Sequence, residues 1–108
     1  MDKWRVHKFG GSSVADAACM QRAADIIENE TGTRLGVVLS ACRGVTDALL
    51  ALITQAERQL PVADAVLVLR DRHAGMAEAL IPGAPAGAYA AEIDRDCQDI
   101  VGILTNSS

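Results

Sequence analysis

Aromatic residues are nearly absent from the chain, which has one Trp, one Tyr and one Phe. Because half of the residues are hydrophobic, the core must be built from aliphatic side chains, and the composition is that of a globular rather than a disordered protein. No internal repeat or low-complexity segment occurs. A chain of 108 residues is long enough for one small domain or for part of a larger one.

Positive charge is also scarce. Ten Lys and Arg residues against fourteen Asp and Glu residues give a formal net charge of −4, which argues against a nucleic-acid surface and against a surface for anionic membranes. No apolar run approaches the ~20 residues of a membrane-spanning helix, and the N-terminus lacks the apolar core of a signal peptide. We therefore expect a cytoplasmic protein with no nucleic-acid or membrane partner.

Neither the cysteines nor the histidines form a recognisable metal or disulfide pattern. Cys19, Cys42 and Cys97 are far apart, their number is odd, and no CxxC spacing occurs. This pattern is typical of reduced thiols in a cytosolic protein. We interpret His7 as a strand residue near the sheet surface and His73 as a helix residue that flanks the core. We predict no metal site.

Two short segments, residues 4–9 and 35–39, have the character of β-strands. The first alternates imperfectly between apolar and polar residues, and the second is a β-branched apolar run typical of a buried parallel strand. Two parallel strands alone do not make a stable sheet. We therefore expect the chain to be the opening part of a larger α/β domain, or to complete its sheet by association.

A helical pattern fills residues 14–30, between the two predicted strands. Ser13 followed by Asp16 resembles a capping box, which predicts Ser13 as the N-cap. Residues 31–32, Thr-Gly, are a typical stop signal. The order strand, glycine loop, helix, strand predicts a βαβ unit with a right-handed crossover.

The chain after the second strand is predicted to be helical. Thr46 is the predicted N-cap of the first of three further helices. These helices are expected from Thr46 to just before Pro61, over about residues 62–80, and over about residues 88–104, with a turn at 82–85 between the last two. The acidic residues of the last helix are interpreted as a solvated face: Glu92, Asp94 and Asp96.

The segment KFGGSSV, residues 8–14, joins the first strand to its helix. Ligands of open α/β sheets bind at this position, and a helix N-terminus favours an anion. Gly10 and Gly11 lack a Cβ, so the backbone can approach a phosphate closely. Lys8 supplies a mobile positive charge, and Ser12 supplies a donor. The loop suits a phosphoryl group, although its spacing matches neither GxxxxGK[ST] nor GxGxxG and also fits a tight turn beside a solvated lysine.

The segment SACRGVTD, residues 40–47, is the second loop between a strand and a helix. In a parallel sheet with right-handed crossovers, both loops open at the same edge. Ser40 and Thr46 could donate hydrogen bonds to a small polar substrate, or could serve only as a loop hydroxyl and a helix cap. Arg43 could steer anions, or could simply be solvated.

The segment VHKFGGSSVADA, residues 6–17, resembles the N-terminal signature of aspartate kinases, which are members of the amino-acid kinase family. VVLSACRGVTDALL, residues 37–50, is similar to the second block of that family, and a helical segment follows as in those enzymes. The resemblance implies the N-terminal part of a three-layer αβα amino-acid kinase fold. Residues 1–108 would then form only part of a catalytic domain.

The resemblance also implies an activity. The family transfers the γ-phosphoryl group of ATP, with Mg²⁺, to the side-chain carboxylate of aspartate, and aspartyl 4-phosphate then feeds lysine, threonine and methionine synthesis. Lys8 would be the catalytic residue, in contact with the transferring phosphoryl group. The other implied site residues are Gly10, Gly11 and Ser12 for the phosphates, and Ser40 and Thr46 for the aspartate.

The family pattern continues with a Gly-Glu segment, a catalytic aspartate and a nucleotide-base pocket, which this sequence does not contain. We therefore expect the parent protein, monofunctional or fused to a second enzyme, to be the kinase and the chain itself to be inactive. We also expect a homo-oligomer, because a partial sheet and apolar helix faces would otherwise be exposed. The alternatives are a non-catalytic α/β association module and a dinucleotide-binding unit, although the latter lacks GxGxxG.

Overall fold

The structure is a computed structural model that describes residues 3–30 and 34–106. The fold is mixed α/β, as predicted, and the chain divides into two compact units, Met1–Thr46 and Asp47–Ser108. The elements in chain order are β1 (Trp4–Phe9), a 3₁₀ turn (Gly11–Val14), α1 (Ala17–Glu28), β2 (Arg34–Leu39), α2 (Val45–Glu57), α3 (Ala63–Leu80) and α4 (Ala84–Asn106).

The two strands pair in parallel, in a register that sets Trp4 opposite Arg34 and Phe9 opposite Leu39. This confirms the predicted parallel pair and the bounds of the first strand. The sheet has a small aliphatic core on one face, where Phe9 packs with Val14 of the 3₁₀ turn and Ala23 of α1. The aromatic-poor composition is therefore matched by a core of small side chains around a single ring.

The prediction that the second strand is buried is wrong. Val37, Val38 and Leu39 are 40%, 50% and 59% exposed. Among the described residues the sheet contains only β1 and β2, and a parallel strand needs cover on both faces to bury its side chains. The apolar run therefore forms the strand but is not enclosed.

The predicted N-cap of α1 is also wrong. Ser13 lies inside the 3₁₀ turn, where its N–H donates to the Gly10 carbonyl oxygen at 2.9 Å. The N-cap is Asp16, whose Oδ1 accepts the Cys19 N–H at 2.8 Å. Asp16 has the extended backbone of a cap, so the aspartate that resembled the end of a capping box begins the helix itself.

The residues that follow α1 contact side chains of β1. The helix ends at Glu28, and the predicted stop at residues 31–32 lies outside the described residues. Glu30 Oε1 lies 2.6 Å from His7 Nε2, and Glu30 Oε2 lies 3.4 Å from Arg5 Nη1. The hydrogen bond with His7, and then the charge of Arg5, hold the pKa of the Glu30 carboxyl below its ordinary value. His7 is thus a partly buried strand residue.

The remaining chain is helical, as predicted, with two corrected boundaries. The helix α2 begins at Val45, so Thr46 lies within its first turn and is not the N-cap. The helix α4 begins at Ala84 rather than near residue 88, because Pro85 is tolerated in a first turn where no backbone donor is required. Turn residues and the start of a helix are locally similar signals, which explains the misplaced boundary.

The helical unit has a second aliphatic core, centred on Leu52, Val62 and Val66. Partly buried apolar side chains surround it, among them Leu69, Cys97, Ile100 and Leu104. His73 flanks this region, with Nδ1 2.7 Å from the Leu69 carbonyl oxygen. Apolar side chains of α2, α3 and α4 therefore meet in this core.

The acidic face predicted for the last helix is only partly solvated. Arg70 Nε on α3 lies 2.6 Å from Asp94 Oδ1 on α4, so Asp94 joins two helices. Such a partly exposed ion pair contributes little stability. The cysteines are free thiols, with Cys42 buried. Within residues 3–30 and 34–106, we find no helix of the length and apolarity required to traverse a bilayer.

Candidate functional site

The two predicted loops leave the same edge of the sheet. Phe9 and Leu39, the last residues of β1 and β2, are partners in the parallel register. The Ser40 N–H donates to the Phe9 carbonyl oxygen at 3.0 Å, which continues the pairing one residue beyond the strands. The carboxyl edge of the sheet therefore carries both loops, in the position where ligands bind in open α/β sheets.

The two glycines of the first loop have different surroundings. Gly10 has φ −74° and ψ 175°, and a Cβ built on it would meet nothing within 4 Å. A Cβ on Gly11 would lie 3.4 Å from the Ala41 carbonyl oxygen and 3.4 Å from Arg43 Cα. The first loop therefore touches the backbone of the second loop at Gly11, while Gly10 leaves its backbone open to the outside.

Buried side chains hold both loops in place. Val14 closes the first loop and is almost fully buried. In the second loop Cys42 and Val45 are buried, and the Val45 N–H donates to the Cys42 carbonyl oxygen at 3.0 Å. Gly44 completes this turn with φ +84°, a conformation that a side chain would strain. Buried side chains therefore fix the backbone of both loops at the carboxyl edge of the sheet.

The predicted polar site residues are exposed around this edge. Lys8, Ser12, Ser40 and Thr46 all have exposed side chains, with Thr46 in the first turn of α2 rather than in the loop. Strand alternation puts Lys8 on the sheet face opposite the one that α1 covers at Phe9. A ligand that contacts both loops would lie over the carboxyl edge.

Ser12 instead belongs to the α1 side of the loop. Together with Ser13 it lines an open cavity of about 310 Å³, whose other lining residues include Phe9, Cys19 and Arg22. Arg22 is held there by a contact between Nη2 and the Cys19 Sγ at 3.1 Å. Lys8 and Ser12 therefore reach the edge from different faces, and the structure does not bring their side chains together.

The positive end of α1 is already neutralised by its own chain. Asp16 caps the helix, and the hydrogen bond from Cys19 N–H holds the pKa of its carboxyl below the ordinary value. The expectation that an anion would bind directly at this helix N-terminus therefore needs correction. An anion at the edge would be met by the 3₁₀ turn and by Lys8, since the N-cap of α1 is itself a carboxylate.

Sequence reasoning missed the contact of Gly11 with the second loop. It treated both glycines alike, as residues that let a phosphate approach. The available signal was the pair itself, since one glycine suffices to open a backbone to a ligand. The difference between the two glycines depends on the backbone of residues 41 and 43, which are distant from them in sequence.

A glycine loop and a hydroxyl-bearing loop thus follow two parallel strands of an α/β unit at one edge of the sheet. Residues 3–100 match the profile of the amino acid kinase family. The chain therefore belongs to the amino acid kinase family, as the resemblance of its two loop segments predicted.

Named relatives are aspartokinases. The chain is 30% identical over 107 residues to a chloroplastic bifunctional aspartokinase/homoserine dehydrogenase 2 of Arabidopsis thaliana, covering 95% of the chain and 11% of the relative. A Zea mays bifunctional aspartokinase/homoserine dehydrogenase 1 is 29% identical over the same coverage. The lysine-sensitive aspartokinase 3 of Escherichia coli K12 is 55% identical over 47 residues, 44% of the chain and 10% of the relative.

The chain thus spans about a tenth of the length of these curated relatives, 11% for the plant proteins. No solved structure matches the chain.

Proposed function

We propose that residues 1–108 are the opening segment of an aspartate kinase catalytic domain. The parent protein would form aspartyl 4-phosphate, the first step of lysine, threonine and methionine synthesis. The observation that carries the proposal is the meeting of the KFGGSSV and SACRGVTD loops, at Gly11, over one sheet edge. Membership of the amino acid kinase family and the aspartokinase relatives support it.

The first loop would hold the phosphates of ATP, which supplies the phosphoryl group. Gly10 suits this task because nothing lies within 4 Å of the position of a Cβ, so a phosphate oxygen can approach the backbone. Lys8, exposed at the end of β1, would neutralise charge on the transferring group. Gly11 and Ser12 would complete the phosphate side, with Gly11 contributing backbone and Ser12 a hydroxyl donor.

The second loop would hold the aspartate. The exposed hydroxyls of Ser40 and Thr46 can donate to carboxylate oxygens. No protein nucleophile is required, because the side-chain carboxylate of the substrate attacks the phosphoryl group, and catalysis then consists mainly of positioning and charge neutralisation. The chain's part in the reaction is therefore to orient two anions over one edge.

The part of the chain that the structure describes does not fit a resident Mg²⁺ site. Among residues 3–30 and 34–106, no cluster of three or more His, Cys, Asp and Glu side chains could hold a metal ion. We therefore propose that Mg²⁺ binds with the phosphates of the nucleotide rather than to side chains of these residues.

Lys8→Ala tests the proposal in a parent protein that carries this segment. Turnover in a hydroxamate-trapping assay should fall by roughly 10²-fold or more, the scale of losing a charge-stabilising contact, while the unfolding midpoint stays nearly unchanged because Lys8 is exposed. Lys3→Ala is the matched control, since Lys3 is an exposed lysine just before the same strand. Equal losses of turnover in both variants would reject the assigned role of Lys8.

The isolated chain should show no aspartate-dependent ATP turnover in the same assay. This expectation follows from the proposal, since the chain covers 11% of the plant relatives. Clear turnover by the purified 108-residue chain would show that the segment contains a complete active site, and the proposed division of the catalytic domain would be wrong.

A second candidate is a non-catalytic association module, favoured by the exposed apolar side chains of β2. The same exposed side chains lead us to propose that the chain forms homo-oligomers, in which the apolar side chains of β2 are covered. The free thiols support a reducing compartment, and we propose the cytoplasm. A monomeric mass by light scattering at high concentration would contradict the oligomer. Association without any Mg·ATP binding would favour the module.

A further inference from the structure

The adjacent glycines of the first loop differ in what surrounds them, and this difference assigns them different tasks. At Gly10 the space beyond Cα is open, whereas at Gly11 it is filled by the Ala41 carbonyl oxygen and by Arg43 Cα and N, at 3.4, 3.4 and 3.6 Å from an added Cβ. All three neighbours of Gly11 are backbone atoms. They cannot turn aside as the end of a flexible side chain can.

We propose that Gly11 is a positioning residue that sets the spacing between the two loops, whereas Gly10 leaves its backbone open to a ligand on the side where a Cβ would lie. The importance of this spacing for binding rests on the proposed function. The contact between Gly11 and the second loop does not, because it is present in the ligand-free chain. The structure records contacts between the loops at Gly11 and at the hydrogen bond from Ser40 N–H to the Phe9 carbonyl oxygen.

The spacing matters because the groups that would bind the two substrates are divided between the loops. Lys8 and Ser12 belong to the first loop and Ser40 to the second. Any side chain that separates the loops at Gly11 moves one set relative to the other, and a displacement of about 1 Å between reacting groups can cost up to about 10²-fold in rate. The second loop cannot easily follow, because Cys42 and Val45 are buried.

A graded substitution series at the two positions tests this. A methyl group at Gly11 would just reach the backbone of residues 41 and 43 at 3.4 Å, so Gly11→Ala should be accommodated with a small shift. Gly11→Val adds two γ-carbons that occupy two of the three staggered positions. Gly11→Val should therefore push the loops apart. Gly10→Val is the matched control, because its site is open and its φ is negative.

The first measurement uses the ligand-free chain and amide NMR spectra. Gly11→Val should shift the amides of residues 41–44, Gly11→Ala should shift them less, and Gly10→Val should leave them nearly unchanged. If Gly11→Val fails to fold, the comparison of Gly11→Ala with Gly10→Ala makes the same test. Amides of residues 41–44 that respond equally to substitution at both glycines would overturn the inference.

The second measurement is a titration of each folded variant with Mg·ATP. Gly11→Val should bind about tenfold or more weakly, because the valine also displaces the backbone of the first loop at Gly11, which would contact the phosphates. Leu52→Ala is the control for a merely structural effect, since it destabilises the helical unit and should leave the affinity unchanged. If Gly11→Val shifts residues 41–44 but binds Mg·ATP as tightly as the wild-type chain, the positioning role is refuted. If the wild-type chain does not bind Mg·ATP, nucleotide binding by this segment fails, while the ligand-free comparison still decides the contact.

Discussion

Val14→Ala is the perturbation that best tests how the first loop is held. Val14 is 2% exposed and packs with Phe9 and Ala23, directly after the serines of the loop. The substitution removes two buried carbon groups, which at about 0.8 kcal/mol each amounts to about 1.6 kcal/mol. The cavity left behind raises the expected loss of unfolding free energy to about 2–3 kcal/mol, because the small core around one phenylalanine cannot fully collapse.

The control is Val6→Ala, since Val6 is 64% exposed on β1 and a surface change of this kind typically costs within about 0.5 kcal/mol. Urea unfolding gives the difference in midpoint, and amide hydrogen exchange of β1 and β2 reports the first unit separately from the helices. Similar small losses in both variants would refute the reasoning, because they would mean that Val14 does not anchor the loop.

Three further predictions concern the rest of the chain. Leu52→Ala should cost about 2–5 kcal/mol in urea unfolding, whereas Leu50→Ala on the same helix should cost little, since Leu52 is 2% and Leu50 57% exposed; equal costs would contradict the assigned core. Hydrogen bonding to His7 holds the pKa of Glu30 below its ordinary 4.5, so its stabilising effect is present above that pH and is lost as the pH falls through the lower folded value. The stability difference between wild type and Glu30→Gln should therefore shrink from about pH 6 to about pH 3, and a constant difference would count against the contact. Asp16→Ala should speed hydrogen exchange of the Cys19 amide and Asp16→Asn should not, because asparagine is an equally good cap; indistinguishable exchange rates would argue against the cap.

Much of the fold follows from local signals. The β-strand at Trp4–Phe9 and the helix at Ala63–Leu80 agree with prediction to within a residue, because each is bounded by clear punctuation, a Gly-Gly pair and prolines respectively. The N-cap of α1 was misassigned because Ser13 and Asp16 are both good caps by type. The 3₁₀ turn that removes Ser13 from that role depends on the packing of Val14, which no local pattern encodes.

The site was predictable in outline. Two polar, glycine-containing loops after two parallel strands must share an edge, so the neighbourhood of the KFGGSSV and SACRGVTD segments could be inferred from element order and the parallel arrangement. The different surroundings of Gly10 and Gly11 could not, since they depend on backbone atoms of residues 41 and 43. The role of Asp16 as the N-cap of α1 could not be predicted either, since the same residues also fit a helix N-terminus that is open to an anion.

The two loop segments carried the resemblance to the family, and residue type and spacing were sufficient for the order of elements and the largely aliphatic character of both cores. These properties depend on propensities and periodicities that act over a few neighbouring residues. Tertiary packing was needed to show which glycine touches the second loop, that β2 stays exposed, and that Asp94 pairs with Arg70 across two helices. Each of these features depends on atoms that are far apart in the chain, and a contact of that kind exists only once the backbone has brought them together.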